Sequence, residues 1–170
     1  MNRGITTRKM ALAGVLGGLS VVLSVTPFLG FIPLPFLGGV SATTMHIPVI
    51  IGAITAGPFV GLFVGLIFGI SSFLRATPAF FADPLVSILP RIFIGLTAYG
   101  TYKLSRSSIL AAIVGTATNT IGVLTMIYVL GYLRPLSVVL GIAAVNGTAE
   151  VIISAIIVYA IMKLLKKLKF

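Results

Sequence analysis

Apolar runs separated by short polar or irregular stretches divide the chain into six predicted helices. Most of each run lacks charged residues. About 20 such residues, rising 1.5 Å each, cross the hydrocarbon core of a bilayer. The predicted helices cover residues 9–26, 42–56, 58–75, 84–104, 107–131 and 136–165.

The number of crossings depends on how Met45–Leu74 is divided, because only Ala56-Gly57-Pro58 interrupts it. With two helices here, both termini share one side, which holds nine basic residues, and the other side holds only Arg75 and Arg134. With one helix, the same residues split five against six. Basic residues concentrate in cytoplasmic loops. The pattern therefore favours six transmembrane helices with both termini cytoplasmic.

The composition supports an all-α integral membrane protein and excludes several activities. Hydrophobic residues make up 58% of the 170 positions and charged residues 8%, against about 25% charged in soluble domains. The net charge of +10 could suggest binding to nucleic acid. The placement of the basic residues indicates instead the topology of a protein in a lipid bilayer, so we expect no nucleic-acid partner. The chain has no cysteine, one histidine and no phosphate-binding lysine loop, so we expect no metal, no cofactor and no enzyme activity. We predict a single transmembrane domain over residues 1–170.

The segment from Pro27 to Thr44 is predicted to be a long apolar external loop between helices 1 and 2. Three prolines and three glycines exclude a continuous helix. An uncharged, phenylalanine-rich loop should lie on the bundle, because backbone at membrane depth must be covered by protein. We predict either a lid over a binding site or a static interfacial loop. The lid residues would be Phe36, Gly38, Gly39 and Thr43, with the two glycines as the hinge.

Two helices carry small residues at intervals of four, a spacing that allows close approach of another helix. Helix 1 has Ala13 and Gly17 on one line and Gly14 and Gly18 on the next. Helix 3 has a glycine stripe at positions 61, 65 and 69. For helix 1 the spacing fits either packing within this protein or docking to a partner. For helix 3 it predicts tight packing.

Polar residues at membrane depth are the candidate substrate site. Arg91 lies seven residues into helix 4, on one face with Ser87, and Pro90 should kink the helix beside it. Glu150 is the only acid within a span, and it forms a stripe with Asn146 on helix 6. Intramembrane ionisable residues usually mark substrate or ion pathways. The alternative is an Arg91–Glu150 ion pair that only locks the bundle.

Three further residues complete the candidate set. Asn119 makes the middle of helix 5 polar, and Tyr128 lies nearer the outer end of that helix. His46, at the outer start of helix 2, is either a helix-entry residue or a ligand contact. The candidate substrate-binding residues are therefore His46, Ser87, Arg91, Asn119, Tyr128, Asn146 and Glu150.

Three stretches of the chain resemble a known family. They are ALAGVLGG in helix 1, MHIPVIIGAITAGPFVGLFVGLIFG, and PRIFIGLTAYGTYKL around Arg91. They are similar to the substrate-binding S components of energy-coupling-factor (ECF) vitamin transporters. The resemblance implies partners, namely a transmembrane coupling subunit and two ATPase subunits. It also implies that Ala13, Gly14, Gly17 and Gly18 dock onto the coupling subunit, and that the substrate site falls on Phe36–Thr44, Arg91, Asn119, Tyr128, Asn146 and Glu150.

The pocket residues favour an anionic vitamin, because an arginine binds a carboxylate through two parallel hydrogen bonds. The two asparagines and the glutamate suit amides and hydroxyls, which pantothenate carries beside its carboxylate. The stretch around His46 and Arg91 is also similar to S components of the pantothenate type. Folate, biotin, riboflavin or a pyridoxine-like compound remain alternatives. So do a self-contained channel or secondary carrier, and an assembly protein without a ligand.

Overall fold

The computed structural model describes residues 6–26, 29–34 and 40–168. Within these residues the chain forms six helices and one β-hairpin. The helices are α1 Thr7–Val25, α2 Ile47–Ala56, α3 Pro58–Arg75, α4 Pro84–Ser105, α5 Ser108–Val129 and α6 Leu136–Lys167. The hairpin consists of the antiparallel strands β1 Phe31–Leu34 and β2 Val40–Thr43.

Five of the helices in the described part of the chain are long and apolar enough to cross a membrane, and α2 is the exception. Its 10 residues span about 15 Å, half of the ~30 Å hydrocarbon core. All of them except Thr55 are buried, and α2 packs against α1, α3, α4, α5 and α6. The shortest helix is therefore the centre of the bundle, and its uncharged sequence suits that position.

The glycine stripe of α3 lets its backbone touch that of α4, as the spacing predicts. A Cβ added at Gly61 would lie 2.9 Å from the Cα of Gly95. A Cβ at Gly65 would lie 2.3 Å from the carbonyl oxygen of Arg91, and one at Gly69 would lie 2.9 Å from the Cα of Ile88. Only glycine permits this approach. The contact fixes the position of Arg91 along the axis of the bundle.

Contacts between successive helices show that α3, α4, α5 and α6 alternate in direction. Gly61 on α3 meets Gly95 on α4, whereas Gly69 meets Ile88. The end of α3 lies beside the end of α1, because Nη1 of Arg75 donates to the Ser24 carbonyl oxygen at 2.7 Å. The start of α1 and the ends of α4 and α6 therefore share one end of the bundle. We call it the basic end, since it carries Arg8, Lys9, Lys103, Lys163, Lys166 and Lys167.

The segment between α1 and α2 differs from the predicted irregular loop. It contains the hairpin, in which Phe31 pairs with Thr43 and Leu34 pairs with Val40. Helix α2 consequently starts at Ile47, not at residue 42. The all-α prediction is thus right for the bundle and misses this small sheet. The predicted lid residues Phe36, Gly38 and Gly39 lie outside the described residues.

Two helices depart from regular geometry close to the predicted site residues. Helix α4 is interrupted at Ile88, between the segments Pro84–Ser87 and Leu89–Ser105. The break falls two residues before Pro90, which occupies the first turn of the second segment, where its missing N–H is tolerated. In α6, residues Ala143–Gly147 form a turn of π-helix that includes Asn146. Such turns insert one residue and re-aim the side chains around them.

Candidate functional site

A small cavity lies near the end of the bundle opposite the basic end, beside Arg91. Its volume is about 40 Å³, well below the ~300–1,000 Å³ of pockets that hold small molecules. The walls come from the hairpin, α3, α4, α5 and the segment between α3 and α4. The described residues lining it are Thr43, Met45, Phe68, Ser72, Arg75, Thr77, Phe81, Arg91 and Asn119.

Arg91 points into the protein and is held by a carbonyl group that Pro90 leaves without its usual partner. In a regular helix the N–H of residue 90 would donate to the carbonyl oxygen of Val86, but proline has no N–H. Nη1 of Arg91 donates to that oxygen instead. Arg91 is 4% exposed. Its position therefore follows from the sequence Pro90-Arg91 itself.

Two phenylalanine rings flank the guanidinium of Arg91. Its Cζ lies 4.8 Å from the ring centroid of Phe81 and 5.4 Å from that of Phe68. Phe81 belongs to the 3₁₀ turn Ala79–Ala82, and Phe68 is on α3. Aromatic faces stabilise a cation and exclude water. Among the described residues, no carboxylate contacts the guanidinium.

Two side chains that line this cavity carry a buried polar atom without a partner among the described residues. These atoms are the Nε of Arg91 and the Oδ1 of Asn119, for which residues 6–26, 29–34 and 40–168 provide no hydrogen-bond partner. A buried polar group without a partner costs about 1–3 kcal/mol. One is a donor and the other an acceptor, so a ligand that carries both a carboxylate and an N–H or O–H group would satisfy both.

Glu150 is not bound to Arg91; within the described residues its carboxylate accepts hydrogen bonds from neutral donors. Oε1 accepts from the backbone N–H of Thr43 at 2.9 Å and from the Thr43 hydroxyl at 2.6 Å. Oε2 accepts from the Thr120 hydroxyl at 3.0 Å, and Nδ2 of Asn146 is 3.5 Å from Oε1. The Arg91–Glu150 ion pair, the alternative to a substrate site, is therefore not formed. Glu150 instead joins α6 to strand β2.

Asn146 and His46 each have one buried polar atom with no hydrogen-bond partner in the part of the chain that the structure describes. Oδ1 of Asn146 and Nδ1 of His46 are in this state. The other ring nitrogen of His46 lies 2.9 Å from the hydroxyl of Thr116, which lies 2.6 Å from that of Ser154. His46 is fully buried at the start of α2. It belongs to a polar chain linking α2, α5 and α6, and it is not among the described residues that line the cavity.

Ser87 and Tyr128 are not among the described residues that line the cavity. The Ser87 hydroxyl donates to the Asp83 carbonyl oxygen at 2.9 Å, within its own helix start. The Tyr128 ring is covered by Arg134, whose Cζ lies 4.1 Å from its centroid. Nearby, the Tyr132 hydroxyl donates to the Asp83 carboxylate at 3.1 Å, and this hydrogen bond raises the pKa of Tyr132. These contacts form a polar rim above the bundle.

Among the described residues that line the cavity, Arg75 is the charged one that the sequence reasoning missed, because charge counting assigned it to an external loop. It is the last residue of α3, and it lines the cavity with Arg91. It also borders an apolar groove between α1 and α3 that contains Val21 and Ile70. The sequence feature that could have indicated its place in the bundle is a cation in the last turn of a helix, directly after an apolar run. Phe68 and Phe81 carried no signal beyond their hydrophobicity.

The four small residues of α1 divide between two faces. Ala13 and Gly17 are buried, and a Cβ at Gly17 would lie 2.5 Å from Cδ1 of Ile67 on α3. Gly14 and Gly18 are exposed, and nothing lies within 4 Å of a Cβ placed on either. The inner pair packs the bundle, and the outer pair leaves a flat strip on the surface.

Comparison with known proteins places this architecture in a family. Residues 8–162 match the family described as "ECF transporter, substrate-specific component". The chain belongs to this family: it is an S component, the substrate-binding subunit of a transporter and not an enzyme. It is a multi-pass membrane protein.

Two individual proteins extend the comparison. The chain is 37% identical to the pantothenic acid transporter PanT of Lactococcus lactis subsp. cremoris (strain MG1363), over 75% of this chain and 79% of that protein. A solved structure of the S component of a bacterial ECF transporter matches with a TM-score of 0.68 and 22% identity, covering 95% of this chain and 96% of the other. At that identity the match supports the fold alone. The family resemblance expected from the sequence is confirmed.

Proposed function

We propose that this protein binds pantothenate with high affinity and delivers it across a prokaryotic plasma membrane as part of an ECF importer. The observation that carries the proposal is the buried Arg91, which lines the cavity and has, within the described part of the chain, an unpaired Nε and no carboxylate in contact. A vitamin carboxylate would supply the missing acceptor through a charge-assisted hydrogen bond. The similarity to a pantothenic acid transporter supports this choice of vitamin.

Asn119 is the second proposed contact. Its unpaired Oδ1 can accept a hydrogen bond from an amide N–H or a hydroxyl, and pantothenate has both. The remaining predicted residues (His46, Ser87, Tyr128, Asn146 and Glu150) stay predictions as direct contacts.

The proposed orientation places the cavity on the external side. The basic end carries most of the lysines and arginines, which concentrate on the cytoplasmic side of membrane proteins. Arg75 and Arg134 are at the opposite end, together with the cavity. Six crossings with both termini cytoplasmic agree with the alternating helices.

We propose that the outer strip of α1, formed by Gly14 and Gly18, docks onto the coupling subunit of an ECF module with two ATPase subunits. Helix α1 lies at the edge of the bundle and packs mainly on α2 and α3. Its exposed face also carries Val15, Leu19 and Val22. Small residues on an exposed apolar face let another helix approach closely. Ala13 and Gly17 lie on the buried face of α1, so they would affect this contact only through the packing of α1 on the bundle.

A thermal-stability screen of B vitamins with the purified protein tests the proposal. A ligand at 100 times its Kd stabilises the folded state by about 2.7 kcal/mol, so pantothenate should raise the unfolding temperature. Folate, biotin, riboflavin and pyridoxine are the comparison ligands. Stabilisation by one of these instead would reassign the vitamin, and stabilisation by none would contradict a vitamin-binding role.

A further inference from the structure

An open groove runs between α1 and α3 on the outer surface of the bundle. Its volume is about 410 Å³, within the ~300–1,000 Å³ of pockets that hold small molecules. Its walls are apolar side chains except for Ser71 and Arg75. The described residues lining it are Val21, Val25, Ile67, Ile70, Ser71, Leu74 and Arg75. Arg75 therefore borders this groove as well as the cavity beside Arg91.

Contacts between α1 and α3 join the two helices beneath the groove but do not fill it. Ser24 is buried, and its hydroxyl lies 2.5 Å from that of Ser71. Val25 and Leu74, on the walls, nevertheless remain 67% and 75% exposed. The bundle thus leaves an apolar depression in its surface, and in a membrane the hydrocarbon of the bilayer meets such a surface.

Arg75 adds a positive charge at the end of the groove that lies away from the basic end. It is the last residue of α3. Its Nη1 donates to the Ser24 carbonyl oxygen at 2.7 Å, and its Nη2 lies 3.5 Å from the Thr77 carbonyl oxygen. Carbonyl oxygens are neutral, so these contacts orient the guanidinium and leave its charge in place. A guanidinium binds a phosphate through parallel hydrogen bonds.

We propose that the groove binds one anionic phospholipid, with the phosphate on Arg75 and an acyl chain along Val21 and Ile70. The headgroup layer of a bilayer lies just outside its hydrocarbon core, so a phospholipid brings a phosphate and an apolar chain to this place together. A helix of another protein would have to supply an acidic group at the same depth. The site is outside the cavity beside Arg91, and the inference does not depend on which vitamin the protein binds.

A tryptophan reporter measures lipid binding at the groove, because the chain has no tryptophan of its own. Leu74→Trp places the fluorophore on the groove wall, and Leu140→Trp places it on the exposed face of α6 near the same end of the bundle. Each full-length variant is reconstituted in bilayers of phosphatidylcholine and phosphatidylglycerol, with brominated acyl chains on one lipid at a time. Bromine quenches tryptophan on contact, so the quenching gives the affinity of the anionic lipid relative to the zwitterionic one.

We expect phosphatidylglycerol to be preferred about tenfold at Leu74→Trp and hardly at all at Leu140→Trp. Tenfold is the weak end of the range for hydrogen bonds to charged groups, and it applies because Arg75 is half-buried. A preference near one at Leu74→Trp would overturn the proposal.

Charge variants in the Leu74→Trp background test the phosphate contact. Arg75→Gln should bring the preference close to one, and Arg75→Lys should keep part of it, since lysine binds phosphate as a point charge. Arg134→Gln removes a different arginine at the same end of the bundle and should leave the tenfold preference. A preference that persists in Arg75→Gln would overturn the assigned contact.

Filling the groove tests the acyl-chain contact without a change of charge, and it decides the matter if Arg75→Gln does not fold. Val21→Phe should abolish the preference at Leu74→Trp, because the larger side chain occupies the space of the acyl chain. Val22→Phe is the matched control, since Val22 is exposed on α1 and is not among the described residues lining the groove. Equal effects of Val21→Phe and Val22→Phe would contradict a lipid in the groove.

Discussion

The contact between α3 and α4 predicts opposite effects of one substitution at two glycines. At Gly65 a Cβ would lie 2.3 Å from the Arg91 carbonyl oxygen and 3.2 Å from its carbonyl carbon. Backbone atoms cannot rotate away, so Gly65→Ala must push α4 from α3. At Gly100, on α4 itself, nothing lies within 4 Å of an added Cβ. Gly100→Ala is therefore the matched control, with the same chemical change and no clash.

Gly65→Ala and Gly100→Ala should change the free energy of unfolding in opposite directions. Alanine is better than glycine in a helix interior by about 1 kcal/mol, so Gly100→Ala should leave the protein equally stable or more stable by up to that amount. Overpacking costs about 1–3 kcal/mol and occasionally more, so at Gly65 the clash exceeds the gain in propensity. At roughly 2–4 °C per kcal/mol for a chain of this size, Gly65→Ala should unfold several degrees below Gly100→Ala.

Thermal unfolding in a fixed detergent, followed by circular dichroism, measures this difference. Pantothenate binding by the folded Gly65→Ala variant should also weaken, because the displaced backbone is that of Arg91. Equal unfolding temperatures for parent, Gly65→Ala and Gly100→Ala would show that α3 and α4 do not touch at this glycine. The reasoning that places Arg91 in the bundle would then be refuted.

Three further predictions concern the proposed function. Asn119→Ala should weaken pantothenate binding about tenfold in calorimetry, the value of one hydrogen bond of ~1–1.5 kcal/mol; unchanged affinity would exclude it as a contact. Gly18→Leu should abolish co-purification with an ECF module and preserve vitamin binding, whereas retained co-purification would place docking elsewhere. Liposomes that contain this protein alone should not accumulate labelled pantothenate, and uptake without the module would indicate a self-contained carrier.

Local sequence rules predicted the features that depend on one helix or one pair of helices. The interval of four between glycines on α3 predicted the close approach to α4, and it was confirmed. The cost of a charge in hydrocarbon predicted that Arg91 points inward, and its 4% exposure agrees. The same rules could have identified its acceptor, because Pro90 always leaves the carbonyl group of residue 86 free.

Features that join distant segments could not be predicted in the same way. The Thr43–Glu150 contact joins residues 107 positions apart, and it depends on hairpin pairing that a proline-rich segment does not indicate. Charge counting also treated Arg75 as a topology signal, so its place on the cavity wall was missed. Local periodicity shows which face of a helix is polar, but it does not show which segment covers that face.

The ratio of Kd for pantothenol to Kd for pantothenate tests the central claim most directly. Pantothenol replaces the carboxylate by an alcohol and leaves the rest of the molecule unchanged. If Arg91 binds the carboxylate, the parent and the Lys103→Met control should prefer pantothenate by at least about 30-fold. This ratio corresponds to about 2 kcal/mol, the lower end of the cost of removing one partner of a buried charge pair. In Arg91→Met the ratio should fall close to one. The same ratio in Arg91→Met and in the parent would contradict the claim.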